Sequence, residues 1–284
     1  MSWQRSDATA SSTDKNHIPI SRCSAAVALS FEGPPSSRVK SKDRRLTHRK
    51  GDVYDPFSPW RVLVIQCFPD WISTLEDDEY LSRHKPVNGP EAFLSILRQE
   101  LGDAAKRLLK VHRSVEDLVQ PPPDFIFSRA TRDRMLFEDE SYTLSRRYFW
   151  ASQTLHIMNQ DIEEMIESYQ ETFNDAFWSG TDKIIWPGTA TTTSDVDSPS
   201  PSSSRNAHWR KRMALLRRGI DEEIARLRAI EGMNEKEIRK ITSLREELFS
   251  GTSVQESRKS VELAEVTVTQ GHNIRILTLV TIFL

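Results

Sequence analysis

The chain has little of what most enzymatic chemistry requires. Only two cysteines, Cys23 and Cys67, occur in 284 residues. They share no spacing that would make a zinc site or a disulfide framework, and they read as reduced, intracellular thiols. Glycine is sparse at ten residues, with no Gly-rich loop to cradle a phosphate and no Gly-x-Ser-x-Gly elbow. His156-Ile157-Met158-Asn159-Gln160 is not the His-Glu-x-x-His helix of zinc hydrolases. These absences argue against an enzyme. The N-terminus, Met-Ser-Trp-Gln-Arg-Ser-Asp, lacks the apolar core of a secretory signal, which places the N-terminal part in the cytosol or another reducing space. No apolar run approaches the ~20 residues that a bilayer-crossing helix needs.

What is present is a globular balance with an uneven layout. Hydrophobic residues make up 37% and charged residues 28%, with a mean hydropathy of −0.53, so a core exists without occupying the whole chain. The formal charge of −2 hides a basic start, since residues 1–50 hold ten Lys and Arg against four Asp and Glu. With Gly33-Pro-Pro-Ser-Ser37 in its middle, the region 1–55 reads as a disordered basic arm suited to anionic partners such as lipid headgroups or nucleic acid.

Order is expected from about Pro56. Val62 to Cys67 is β-branched and ends at the turn signal Pro69-Asp70. A helix is expected from about Glu91 to Leu109, with Phe93, Leu94, Leu97, Leu101, Ala104, Ala105 and Leu108 on one face. Asp124 to Ser128, after Pro121-Pro-Pro123, offers a second short strand, which makes 56–128 a small α/β module. From Thr143 to Trp178 the pattern is helical throughout, about ten turns, in a helical region 129–178. The tract 179–206 is rich in Ser, Thr and Pro and reads as a disordered insertion. Ala207 to Glu231 forms another helix that Gly232 ends. Asn234 with Glu237 then has the N-cap and N3 pattern of a new helix running to the end of the region 207–284. The fold class is mainly α with a small N-terminal α/β module, long antiparallel helices and a long C-terminal stalk helix.

Charged faces are the main candidates for binding. Asp161, Glu164, Glu167, Glu171 and Asp175 line about four turns of one helix, and Glu76, Asp77, Asp78 and Glu79 form an acidic knot. Oxygen-rich surfaces of this kind bind hydrated divalent cations weakly; a solvated helix face is the simpler reading. The basic patch Arg210-Lys211-Arg212 with Arg217-Arg218 is expected to pair with the acidic helix. Without aromatic interleaving or a reader motif, nucleic acid is not favoured.

The last stretch of the chain carries the most information. Val254, Val261 and Val268 recur every seven residues, with Ser257, Ala264 and Gly271 as a parallel row. A seven-residue repeat supercoils helices, and small residues let them approach closely. The helix then runs into the apolar segment Ile276 to Leu284. The order of parts, and the stretch from Ser257 through Leu277-Thr278 to Leu284, resembles the CorA-like family of divalent-cation channels, in particular its fungal members. That resemblance implies a pentamer around a central pore, a membrane protein with its N-terminal bulk in the cytoplasm, and Mg2+ or another divalent cation as the transported or regulatory ion, with no other cofactor. It implies pore-lining positions at Ile274 and Leu277. It also implies truncation inside the first membrane helix, because the family's Gly-Met-Asn filter and second membrane helix do not occur in the chain. The alternative reading is a soluble coiled-coil scaffold or interaction protein without transport activity.

Overall fold

A computed structural model describes residues 2–5, 18–35, 37–39, 51–67, 72–73, 86–179 and 201–283. The described residues are mainly helical. Strands β1 (Ser2–Arg5), β2 (Ile20–Phe31), β3 (Ser37–Val39), β4 (Gly51–Val53) and β5 (Trp60–Cys67) make a three-stranded antiparallel sheet in the order β1-β2-β5 and a separate antiparallel pair, β3 and β4. Among the described residues they precede five helices. These are α1 (Gly89–Val119), α2 (Arg129–Leu136), α3 (Thr143–Thr172), α4 (Asp175–Ser179) and α5 (Pro201–Phe283), with a 3-10 turn at Pro123–Ile126 before α2. The described residues fall into two compact units. One gathers the sheet, α1 through residue 113, and residues 156–234; the other gathers residues 114–155 and 235–283.

The expected strand at Val62 to Cys67 is the core of β5, which pairs antiparallel with β2 from Phe31↔Trp60 to Ser24↔Cys67. Its burial alternates residue by residue, as a sheet with one covered face requires. Strand β2 corrects the reading of 1–55 as a wholly disordered arm. Its inward positions, Cys23, Val27, Leu29 and Phe31, follow period two, but small Ala and Ser between them mimic the composition of a tail. Pairing with β5 supplies the hydrogen-bond partners that composition alone cannot reveal.

Helix α1 starts earlier and ends later than expected. Asn88 caps it, accepting from the Glu91 N–H at 3.0 Å, while Glu91 reaches back to the Val87 N–H at 3.0 Å, a reciprocal capping arrangement. Gly89 lies against Leu29, Phe31 and Trp60, and an added Cβ would sit 3.0 Å from each, so glycine there lets helix and sheet meet. The segment expected as a strand at 124–128 is instead the 3-10 turn. Asp124 accepts from the Thr131 hydroxyl at 2.8 Å, and Ser128 caps α2 through the Thr131 N–H. These local side-chain bonds turn the backbone where β-propensity would extend it. The single helix expected from 143 to 178 breaks at Phe173–Asn174, where the Asn174 side chain accepts from the Phe177 N–H at 3.0 Å and starts α4.

The largest correction concerns α5. Gly232 does not end a helix and Asn234 does not start one, because Pro201–Phe283 is one helix of 83 residues. Glycine inside a helix costs only about 1 kcal/mol, which burial of the surrounding side chains outweighs. Those side chains follow a strict heptad. Met213, Ile220, Leu227, Ile241 and Leu248 are buried seven or fourteen residues apart, with Asn234 filling the remaining position of the row. A second row runs through Trp209, Leu216, Glu223, Ile230, Glu237 and Leu244. Alternating steps of three and four residues are the knobs of a supercoiled helix seam.

Within the first unit, helix directions follow from the contacts. Glu91 pairs with Arg212, Arg98 lies over Gly219, Gly102 faces Glu223, and His112 bonds Asn234. The sequence offset stays at 121 or 122 throughout, so α1 and α5 run parallel. Helix α3 runs the other way, with Asn159 at Asn234 and Tyr169 and Gln170 beside Asp221 and Ile224. The expectation that the acidic and basic helices lie antiparallel therefore holds for α3 against α5, while α1 runs parallel to α5. Residues 180–200, most of the Ser/Thr/Pro tract, lie outside the described residues; Pro201 already opens α5, which suits its missing N–H.

Candidate functional site

Two regions carry unusual side chains: the far end of α5 and the interior of the first unit. The buried heptad row of α5 ends at Leu248 and Gly251. Continued in phase, it meets Gln255, Glu262 and Thr269, all polar. The apolar residues reappear one position earlier, at Val254, Val261 and Val268, which turns the row by about 100° around the helix. All three are more than half exposed, as are Leu263 at 68%, Ile274 at 65% and Leu277 at 72%. The side-chain hydroxyls of Ser257, Thr267 and Thr269 donate to their own helix carbonyls four residues back, at 2.8 to 2.9 Å. They leave the apolar rows without competing polar demand. Among the described residues no helix is long and apolar enough to cross a membrane.

The change of phase coincides with a close approach. Leu136 backbone lies against Gly251 so tightly that any Cβ there would run into the Leu136 carbonyl oxygen. The Glu138 N–H donates to the Thr252 hydroxyl at 3.1 Å, and the Glu138 carboxylate accepts from the N–H groups of Leu144 and Ser145 at 3.0 and 2.9 Å. One short segment thus grips α5 and caps α3. Its geometry is tight enough that Tyr142 adopts a φ of 54°, unusual for a residue with a side chain.

The acidic face expected on the 143–178 helix is divided by the fold. Asp161 is not on a solvated face: it is 4% exposed and accepts from Arg22 of β2 at 2.6 Å. Glu164 borders a cavity, and Glu167 and Glu171 are exposed. Asp175 lies at the start of α4, where Arg217 of the basic patch donates to it at 3.0 Å, the pairing the charge pattern suggested. Arg212 of the same patch turns instead to the buried Glu91. Glu76, Asp77, Asp78 and Glu79 lie outside the described residues. Among those described, no group of three or more His, Cys, Asp or Glu side chains converges in a way that could hold a metal ion.

A cavity of about 450 Å³ lies between the sheet and helices α1 and α3, floored by Leu97, Leu101, Ala104 and Met165. Glu100 faces it and receives the Gln66 amide at 2.5 Å. Burial raises the Glu100 pKa above its ordinary value, with Asp103 adding in the same direction and Gln66 and Arg107 opposing. Tyr169, on the wall toward α5, is pushed up to about 12 by burial and then by the charge of Asp221. Gln66, Glu100, Arg107 and Arg22 were not singled out by sequence patterns, since the Gln66–Glu100 and Arg22–Asp161 contacts join residues far apart in the chain.

A polar cluster joins α1, α3 and α5 within the first unit. Asn234 is fully buried; its side-chain oxygen lies 2.7 Å from His112 Nδ1, and its amide donates to Asn159 Oδ1 at 2.8 Å. The sole signal in the sequence was an Asn where the heptad calls for an aliphatic residue. No family model matches the chain, and no curated protein or solved structure matches it either.

Proposed function

We propose that the chain is the cytoplasmic domain of a CorA-like transporter of Mg2+ or another divalent cation, anchored in a membrane and assembled as a homo-oligomer, a pentamer by resemblance. The observation that carries this reading is the exposed far portion of α5. Val254, Val261 and Val268 repeat at heptad spacing on a helix face that no described residue covers, and the helix continues into the apolar run 276–284. Such a face demands company, because apolar area in water costs about 25 cal/mol per Å². Copies of the same helix, related by a symmetry axis, satisfy that demand with a shared seam. In this reading Ile274 and Leu277 face the axis where the helix enters the membrane, and the cation is cargo.

The second reading is a scaffold whose exposed seam joins another helix, favoured by the heptad rows themselves, which need no membrane. Sedimentation of the full chain separates parts of the problem. The unmodified chain is expected to sediment as an oligomer, and Ala264→Arg as a folded monomer with unchanged helicity. A monomeric unmodified chain at high concentration overturns self-association. Reading the transcript past the codon for Leu284 tests transport: a Pro, a Gly-Met-Asn and a second apolar helix are expected, and a stop codon favours the scaffold.

A further inference from the structure

We infer that the buried Asn234 and His112 and the half-buried Asn159 form a register lock that holds helix α5 at one axial position against α1 and α3. The need for a lock follows from the seam. Met213, Ile220, Leu227, Ile241 and Leu248 are interchangeable apolar knobs seven residues apart. A slide of α5 by one heptad, about 10 Å, therefore replaces each knob with a similar one at small loss of packing. Apolar volume tolerates such swaps, so burial of this row by itself does not select a single register; the second row, with Trp209, Glu223 and Glu237, and the fit of Gly219 under Arg98 add to the selection.

Asn234 breaks that degeneracy. At its present position its oxygen and amide are satisfied by His112 and Asn159 on two different helices. After a one-heptad slide, Leu227 or Ile241 faces those two polar groups, and Asn234 enters an apolar layer. Both moves leave buried polar groups unpaired, the costliest outcome in a packed interior. A single polar residue in an otherwise aliphatic seam fixing register is the best-attested use of such groups. Glu223, 6% exposed beside Gly102 and held by Arg226 at 2.9 Å, is a second marker one side of the lock. Its partner Arg226 is on α5 itself, so it travels with the helix and discriminates less.

The lock lies within one chain and operates equally in a transporter and in a scaffold. It is tested in the full chain with Cys23→Ala and Cys67→Ser, carrying spin labels at Glu163→Cys on α3 and Arg228→Cys on α5, both exposed. Pulsed electron–electron resonance is expected to give one distance population with the lock intact. Asn234→Leu is expected to give at least two populations with helicity kept and the melting temperature lowered, because His112 and Asn159 lose their shared partner. The triple variant His112→Leu, Asn159→Leu and Asn234→Leu, which leaves no polar group behind, is expected to give the same spread. A single, unchanged distance in the triple variant overturns the lock, as does a broad distribution in the chain that retains all three side chains.

Discussion

Helix α5 makes one comparison within a single element. Between Met213 and Leu248 one heptad row is buried throughout, with Ile220, Leu227 and Ile241 fully so; from Val254 to Leu277 the same spacing recurs on residues more than half exposed. The periodicity is equal, yet the side chains differ. The buried portion uses long aliphatic knobs that fill space between three helices, whereas the exposed portion alternates Val with Ser, Ala and Gly, a choice that suits close helix-to-helix approach. Seam composition, more than seam period, separates the part of the helix that packs within its own chain from the part left open.

That contrast predicts unequal responses to equal changes. Leu227→Asp places an unpaired charge at a fully buried knob and is expected to cost about 4 kcal/mol or more, enough to abolish cooperative unfolding by calorimetry. Val261→Asp, the same type of change on the exposed portion, is expected to move stability by no more than about 0.5 kcal/mol. Similar losses at both positions would erase the distinction. At the boundary, Gly251→Val drives a side chain into the Leu136 carbonyl, which the Glu138–Thr252 bond holds in place. A loss of about 1–3 kcal/mol in urea unfolding is expected, as for other overpacked contacts, and an unchanged midpoint would show that the segment yields.

The smallest effect belongs to the cavity in the first unit. Burial raises the Glu100 pKa in the folded state, so the folded chain holds that proton to higher pH than the unfolded chain does. The contribution of Glu100 is most favourable below its unfolded value near 4.5 and is lost as pH rises through the folded value. Glu100→Gln keeps an acceptor for Gln66 and removes the charge. It is expected to raise the melting temperature at pH 7 by about 1–2 °C and to flatten the slope between acid and neutral pH. A lower melting temperature would mean that attraction to Arg107 outweighs desolvation.

Much of the helical content was legible because apolar residues recur at three and four residues regardless of partner. The strand at β5 was legible from its β-branched run. Strand β2 was not, since Ala25, Ala26 and Ala28 carry little pattern and its order depends on a partner about 35 residues away. The breaks in α5 were misplaced for the opposite reason: Gly232 and the Asn234–Glu237 pair are strong local signals, and tertiary burial overrode both. Of the candidate residues, Asp175 met the basic patch as its charge suggested, whereas Asp161 found Arg22, a residue assigned by composition to the tail.

By itself the sequence determined that the chain is mainly helical, the seven-residue period at the far end of α5, the scarcity of catalytic motifs and the apolar run that follows the exposed rows. These properties are local, set by propensity and spacing within a few turns. Only the tertiary structure decided that α1 and α5 are parallel, that Asn234 is a core residue rather than a cap, and that burial of the apolar row stops near Gly251. Each of these depends on which distant side chain occupies the facing position, and the free energy of burying a polar or apolar group is set by that neighbour rather than by the segment that carries it.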